Sequence, residues 1–157
     1  MDSEANRLLS KLIHQERIAH LGTLRGGAPM VGMTLFMPMS DFTVFYVHVS
    51  RLAWHTQDME KDPRVALSIA ETDDDRPDPF TLMRVTIRGE AARIPNDDPS
   101  VPDLRFAWLG RFQEQAINFE LADFSFWKIV PRDARFIAGF GRIHNLSAQE
   151  LAAAGAP

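Results

Sequence analysis

There is no cysteine among the 157 residues, which excludes a disulfide, a thiol nucleophile and thiolate metal ligands. Positive charge is in deficit: 17 Lys and Arg face 21 Asp and Glu, and the net charge of −4 argues against a nucleic-acid or anionic-membrane binder. No apolar run approaches the roughly 20 residues that a membrane helix needs, and Met1-Asp2-Ser3-Glu4 lacks the basic start and apolar core of a signal peptide. A cytoplasmic protein with neither nucleic acid nor membrane as partner is therefore expected. The five histidines, His14, His20, His48, His55 and His144, show no His-x-x-x-His or His-Glu-x-x-His spacing, so no metal site is expected. Asp73-x-Asp75 lacks the Gly and distal Glu of an EF-hand loop. No Gly-x-Ser-x-Gly elbow is present, and Gly139-Phe-Gly141 is only a fragment of a dinucleotide fingerprint. No carboxylate pair stands out for acid–base work, so an enzyme of this sequence would take its hard chemistry from a bound cofactor.

What is present is the composition of an ordinary globular domain, 45% apolar and 24% charged. One domain over 1–157 is expected. Leu8, Leu9, Leu12 and Ile13 recur at helical spacing, with Asp2 or Ser3 as cap, and predict a helix over 4–18. Strands are expected at 18–24 and 29–37 around an Arg25-Gly26-Gly27 hairpin turn, then at 43–49 and 65–71. A long strand follows over 81–94, with Val85 and Ile87 on one face and Arg84, Thr86 and Arg88 on the other. Residues 104–112 read as a helix. The last strands are expected at 124–130 and 134–140, joined at Pro131-Arg132-Asp133. Ser147 to Glu150 is a capping box for a short tail helix, whose end is expected to fray. Six or seven strands with short turns predict a small, mainly antiparallel barrel, which removes exposed sheet edges.

Residues 50–69 carry the sharpest local signal. A strand ending near Val47 feeds a short helix rich in Ser, Arg, His and Thr, which Ser50 can cap and Asp62-Pro63 stops. Free N–H groups at a helix start, with polar side chains beside them, can hold an anion, although a plain strand–helix–strand connection has the same pattern.

The order His20-Leu-Gly-Thr-Leu24, Gly27-Ala-Pro29, Val44-Phe-Tyr46, Ser50-x-Leu52-Ala-x-His55-Thr56, Asp62-Pro-Arg-Val-Ala-Leu67 and Arg84-Val-Thr-Ile-Arg-Gly-Glu90 resembles the pyridoxamine 5′-phosphate oxidase-like FMN-binding split barrels. Within them it is most similar to the haem-utilisation branch, which Arg135-Phe-Ile-Ala-Gly-Phe-Gly-Arg142 also matches. The resemblance implies a mainly β (α+β) fold, a six-stranded antiparallel split β-barrel with flanking helices, and a homodimer with FMN at its interface. It implies that His55 and Thr56, with Ser50 and Arg51 before them, hold the flavin phosphate. Val31, Met33 and Thr34 would lie along the ring, Arg84 would face it, and Arg142 would reach the cofactor of the partner subunit. Relatives often carry Arg and Lys on the flavin strand where this chain has Val31 and Phe36, which implies a weaker phosphate clamp. The C-terminal Arg-x-His substrate motif of the oxidase itself is absent. The functional expectation is an FMN-dependent oxidoreductase that acts on a small-molecule substrate, its flavin exchanging a hydride, with catalytic residues unassigned. The alternative is a non-catalytic flavin or haem binding, storage or sensing protein.

Overall fold

A computed structural model describes residues 1–155. Helix α1 (Ser3–Gln15) opens on Asp2, whose carboxylate accepts from the Ala5 N–H at 2.7 Å. Its apolar stripe, Ala5, Leu9, Leu12 and Ile13, is fully buried. Strands β1 (Ile18–Arg25) and β2 (Ala28–Leu35) form the expected hairpin. Gly26 and Gly27 sit at φ +59° and +81°, the two positive angles that a tight hairpin turn demands. Next come β3 (Met37–Pro38), β4 (Phe45–Ser50), α2 (Trp54–Lys61) and β5 (Arg64–Ala70). The chain continues through β6 (Arg84–Arg93), α3 (Val101–Arg111), β7 (Phe124–Ile137), β8 (Ile143–Ser147) and α4 (Ala148–Gly155).

All neighbouring strands are antiparallel, in the order β2-β1-β5-β6-β7-β4-β3, with β8 also on β7. The sheet curls into a half-barrel flanked by helices. Alternation decides what it encloses: Ala19 and Leu21, Val65, Leu67 and Ile69, Val85 and Ile87, and Phe45 and Val47 point inward and join the α1 stripe in one core. A second, smaller cluster lies outside the β4–β7 part of the sheet. There α3 and the following 3₁₀ turn (Gln113–Glu120) cover Phe126 with Trp108, Phe112 and Phe119. Arg111 fastens α3 to the barrel by donating to the carbonyls of Phe36 and His14, each at 3.1 Å, and of Glu16.

Several boundaries differ from expectation, each for a local reason. The two strands expected on either side of Pro131 are one 14-residue strand, while the unexpected short strands β3 and β8 bring the count to eight. The register of β6 against β7 shifts between Arg88 and Gly89, and this bulge accommodates the proline without ending the strand. Gly89 is required there, since a Cβ would lie 2.3 Å from the Val130 carbonyl oxygen. Ser50 does not cap α2; the helix begins at Trp54 with Ala53 as its cap residue, because Ser50 is still paired in β4. The strand expected from 81 starts at Arg84, after a 3₁₀ turn that Asp78 caps. The capping box forms as read, with the Ser147 N–H donating to Glu150 Oε2 at 2.8 Å and the Glu150 N–H to Ser147 Oγ at 3.2 Å. The tail it starts is not frayed as far as Gly155, because Leu151 and Ala154 are buried and Gly155 packs on Phe42. Residues 156 and 157, the end of the expected fraying, lie outside the described residues. No described helix is long and apolar enough to cross a membrane.

Candidate functional site

The outward face of β2-β1-β5-β6-β7-β8 is left uncovered by the chain's own helices. Strand register lays out its side chains in rows. Met33, His20, Ser68, Thr86, Arg135 and Asn145 are successive cross-strand neighbours, and Val31, Gly22, Ala66, Arg88, Asp133 and Ser147 form the adjoining row. Six strands at about 4.8 Å spacing make this face about 24 Å wide. Its middle is built of small residues, so it is low there and raised at the β2 edge. Val31 and Met33 are each 62% exposed, and Ile18 is also exposed on this side. Isolated exposed apolar residues are common, but a contiguous set on a bare sheet marks a surface made to be covered.

Three cavities open along this face. One of about 610 Å³ lies against Ile18, His20, Leu35 and Ala70, with Arg17 and Glu71 at its border. A second, about 330 Å³, is lined by Gly22, Met30, Val31, Ala66, Arg64 and Arg88, and a third, about 750 Å³, by Thr86, Arg88, Asp133, Arg135 and Asn145. All three fall in the size range of small-molecule and cofactor sites. Cations outnumber anions around the second, but they are organised. Arg88 grips Asp133 with two bonds of 2.7 Å and holds that carboxyl below its ordinary range, and Arg64 does the same to Asp62, whose pKa falls to about 2.

At the start of α2 the residues expected to hold a phosphate face different neighbours. Thr56 is only 2% exposed and its hydroxyl has no partner; with Arg51 it borders a pocket of about 20 Å³, room for a water and not for a phosphate. Ser50 donates to Asp123 Oδ2 at 2.5 Å. His55 lies half-buried against Gly32 of β2, its Nε2 has no partner, and burial pulls its pKa down despite nearby Asp58. Arg25 is committed to side chains of this helix: it donates to the buried Asp58 at 2.7 Å, Thr23 donates to the same carboxylate at 2.8 Å, and the guanidinium stacks on Trp54 at 4.1 Å. The sequence does not show this network, because Thr23 and Arg25 lie 35 and 33 positions from Asp58.

The remaining candidates are scattered. Thr34 is buried and donates to the Leu35 carbonyl at 3.0 Å. Arg84 points out of the core as expected, but its guanidinium donates to the carbonyls of Phe80 and Leu82 at 3.2 and 3.0 Å. It lies on β6, three strand spacings from β2, or about 14 Å. Arg142 is 3.5 Å from Glu4 at the start of α1. Val31 and Met33 thus share the bare face with Arg84, which stands across from Ala70 on it, Ser50, Arg51 and Thr56 share the far side of α2, and Arg142 joins neither group. His20, which entered the sequence analysis only within a motif and among the histidines without metal-site spacing, stands on this face on β1, next to the β2 edge. The outward–inward alternation of Ile18, Ala19, His20 and Leu21 was the signal that could have found it.

Comparison with known proteins places this geometry among relatives. The family model described as pyridoxamine 5′-phosphate oxidase matches residues 6–138. The chain is 34% identical over 91 residues to a non-canonical heme oxygenase, HOZ, of Arabidopsis thaliana, covering 58% of this chain and 26% of that one. It is 24% identical over 126 residues to the heme oxygenase HutZ of Vibrio cholerae, covering 80% and 70%. A solved heme binding protein from Mycobacterium smegmatis superposes with a TM-score of 0.84 at 23% identity, over 98% of this chain and 62% of that one. The chain therefore spans about a quarter of the Arabidopsis protein it matches.

Proposed function

We propose that this chain, which belongs to the pyridoxamine 5′-phosphate oxidase family, is a haem-binding split barrel that acts as a homodimer, with the haem and the second copy sharing the bare outer face. The observation that carries the reading is that face itself: broad, low in the middle, apolar at the β2 edge and bordered by arginines. A porphyrin is flat and apolar with two carboxylates at one side, which suits such a surface. An FMN phosphate asks for a concentrated anion cradle, and the start of α2 has a water-sized pocket and an arginine already paired with Asp58. Two relatives named as heme oxygenases favour the haem reading over the FMN oxidoreductase expected from the sequence. Haem would supply redox-active iron; the protein's own part is to exclude water from it and orient it. A symmetric pairing through this face would bury Ile18, Val31 and Met33, which otherwise stand in water.

Parallel titrations of the purified protein with hemin and with FMN test the proposal. Hemin should give a Soret band distinct from that of free hemin, at near one per chain, and FMN at the same micromolar concentration should leave its own spectrum and fluorescence unchanged. Light scattering should give twice the 17.7 kDa chain mass. Tight FMN binding with no hemin complex would return the function to the flavin reading, and a clean monomer would remove the shared face.

A further inference from the structure

We infer that His20, which lines the 610 Å³ cavity between the start of β1 and the end of β5, is the protein ligand of the haem iron, an assignment that rests on the haem-binding reading above. The argument is one of donors and their surroundings. Among the described residues no three His, Asp or Glu side chains gather to hold a bare ion, but porphyrin iron already has four ligands and takes one or two from the protein. The common protein donors are His, Cys, Met and Tyr. There is no Cys, and the single tyrosine, Tyr46, is half-buried in the aromatic layer under α3.

Four of the five histidines are unsuited. His48 is stacked on Phe119 at 4.1 Å and enclosed by Phe124, Phe126 and Trp108. His55 has a buried Nε2 and its Nδ1 against Gly32. His144 has a buried Nε2 and stacks on Phe136 of the core. His14 is exposed, but its ring packs on Phe42 at 5.1 Å beside Arg111 and borders none of the cavities on the bare face. His20 alone combines an exposed imidazole, no hydrogen bond to another described residue, and a cavity of cofactor size at its side. Ile18, Leu35 and Ala70 give that cavity its apolar part, and Arg17 puts a cation for a propionate on a border that also carries Glu16 and Glu71. Met33, directly across from His20 in the β1–β2 pair, is the one other soft donor on the same face.

The test uses the whole chain loaded with hemin, then reduced, and reads the iron–imidazole stretch by resonance Raman together with the Soret position. In the wild type the stretch should be present. His20→Ala should abolish it, move the Soret band and weaken hemin binding by roughly ten- to a hundred-fold, and free imidazole should restore the band. His20→Met should bind hemin with a spectrum different from both, and this variant carries the test should the alanine form not fold. His144→Gln should match the wild type. An iron–imidazole stretch that persists in both His20 variants overturns the assignment and leaves haem binding standing. A wild type that leaves the hemin spectrum unchanged removes both.

Discussion

The outer surface of the barrel is divided into two halves that the chain treats in opposite ways. Over β4 and the first part of β7, α3 and its 3₁₀ extension bury Phe126, Trp108 and Phe112 and enclose His48 in aromatic rings. Over β2, β1, β5 and β6 no described residue covers Val31, Met33 or His20, which stand exposed. Both are outward faces of the same curled sheet. The covered half is large-residue and finished within one subunit, while the bare half is small-residue and waits for something else. The contrast teaches where stability ends and function begins: the first half holds the fold together, and the second is free to bind.

Substitutions should separate the two. Trp108→Ala, in the covered half, should cost about 3–5 kcal/mol in urea unfolding, since it empties the centre of a packed cluster. A loss below about 1 kcal/mol would mean that α3 is a loosely held flap. Met33→Asp, in the bare half, should leave the fold intact by circular dichroism and change the light-scattering mass from two chains to one. If the mass stays at two chains, the dimer uses another surface.

Acid should act on the covered half first. Burial pulls the His48 pKa from 6.5 down to about 4, with the charge of Arg105 adding to the shift. Between those values the unfolded chain binds a proton that the folded chain refuses, so stability falls as pH drops below about 6.5, and the loss is complete below about 4. The urea midpoint should therefore fall between pH 7 and pH 4.5, and His48→Phe, which keeps the aromatic packing, should flatten that fall. An unaltered pH profile in the variant would place the acid sensitivity elsewhere. The smallest effect is expected where the halves meet α2. Thr23→Val removes one hydrogen bond to the buried Asp58 while Arg25 remains, at a cost of about 1 kcal/mol in thermal or urea unfolding.

Much of the fold could be read locally. Gly26-Gly27 demands the turn it makes, Leu9, Leu12 and Ile13 mark one helical stripe, and Ser147 with Glu150 forms the cap that its spacing states. The candidate site was less legible. His55 and Thr56 were found by motif, but burial closes Thr56 and pairs the nearby Arg25 with a carboxylate 33 positions away.

Strand alternation and turn chemistry are properties of neighbours in sequence, and these the sequence by itself determined: inward Leu21, Leu67 and Ile87, outward His20, Arg84 and Arg88. The tertiary structure alone decided which outward faces are roofed. An outward residue has the same two-residue period whether α3 lies over it or solvent does, because burial on that side depends on a helix from another part of the chain, more than 50 positions from β4. It likewise decided that β7 runs unbroken past Pro131, since the bulge that accommodates the proline belongs to a pair of strands and not to either one.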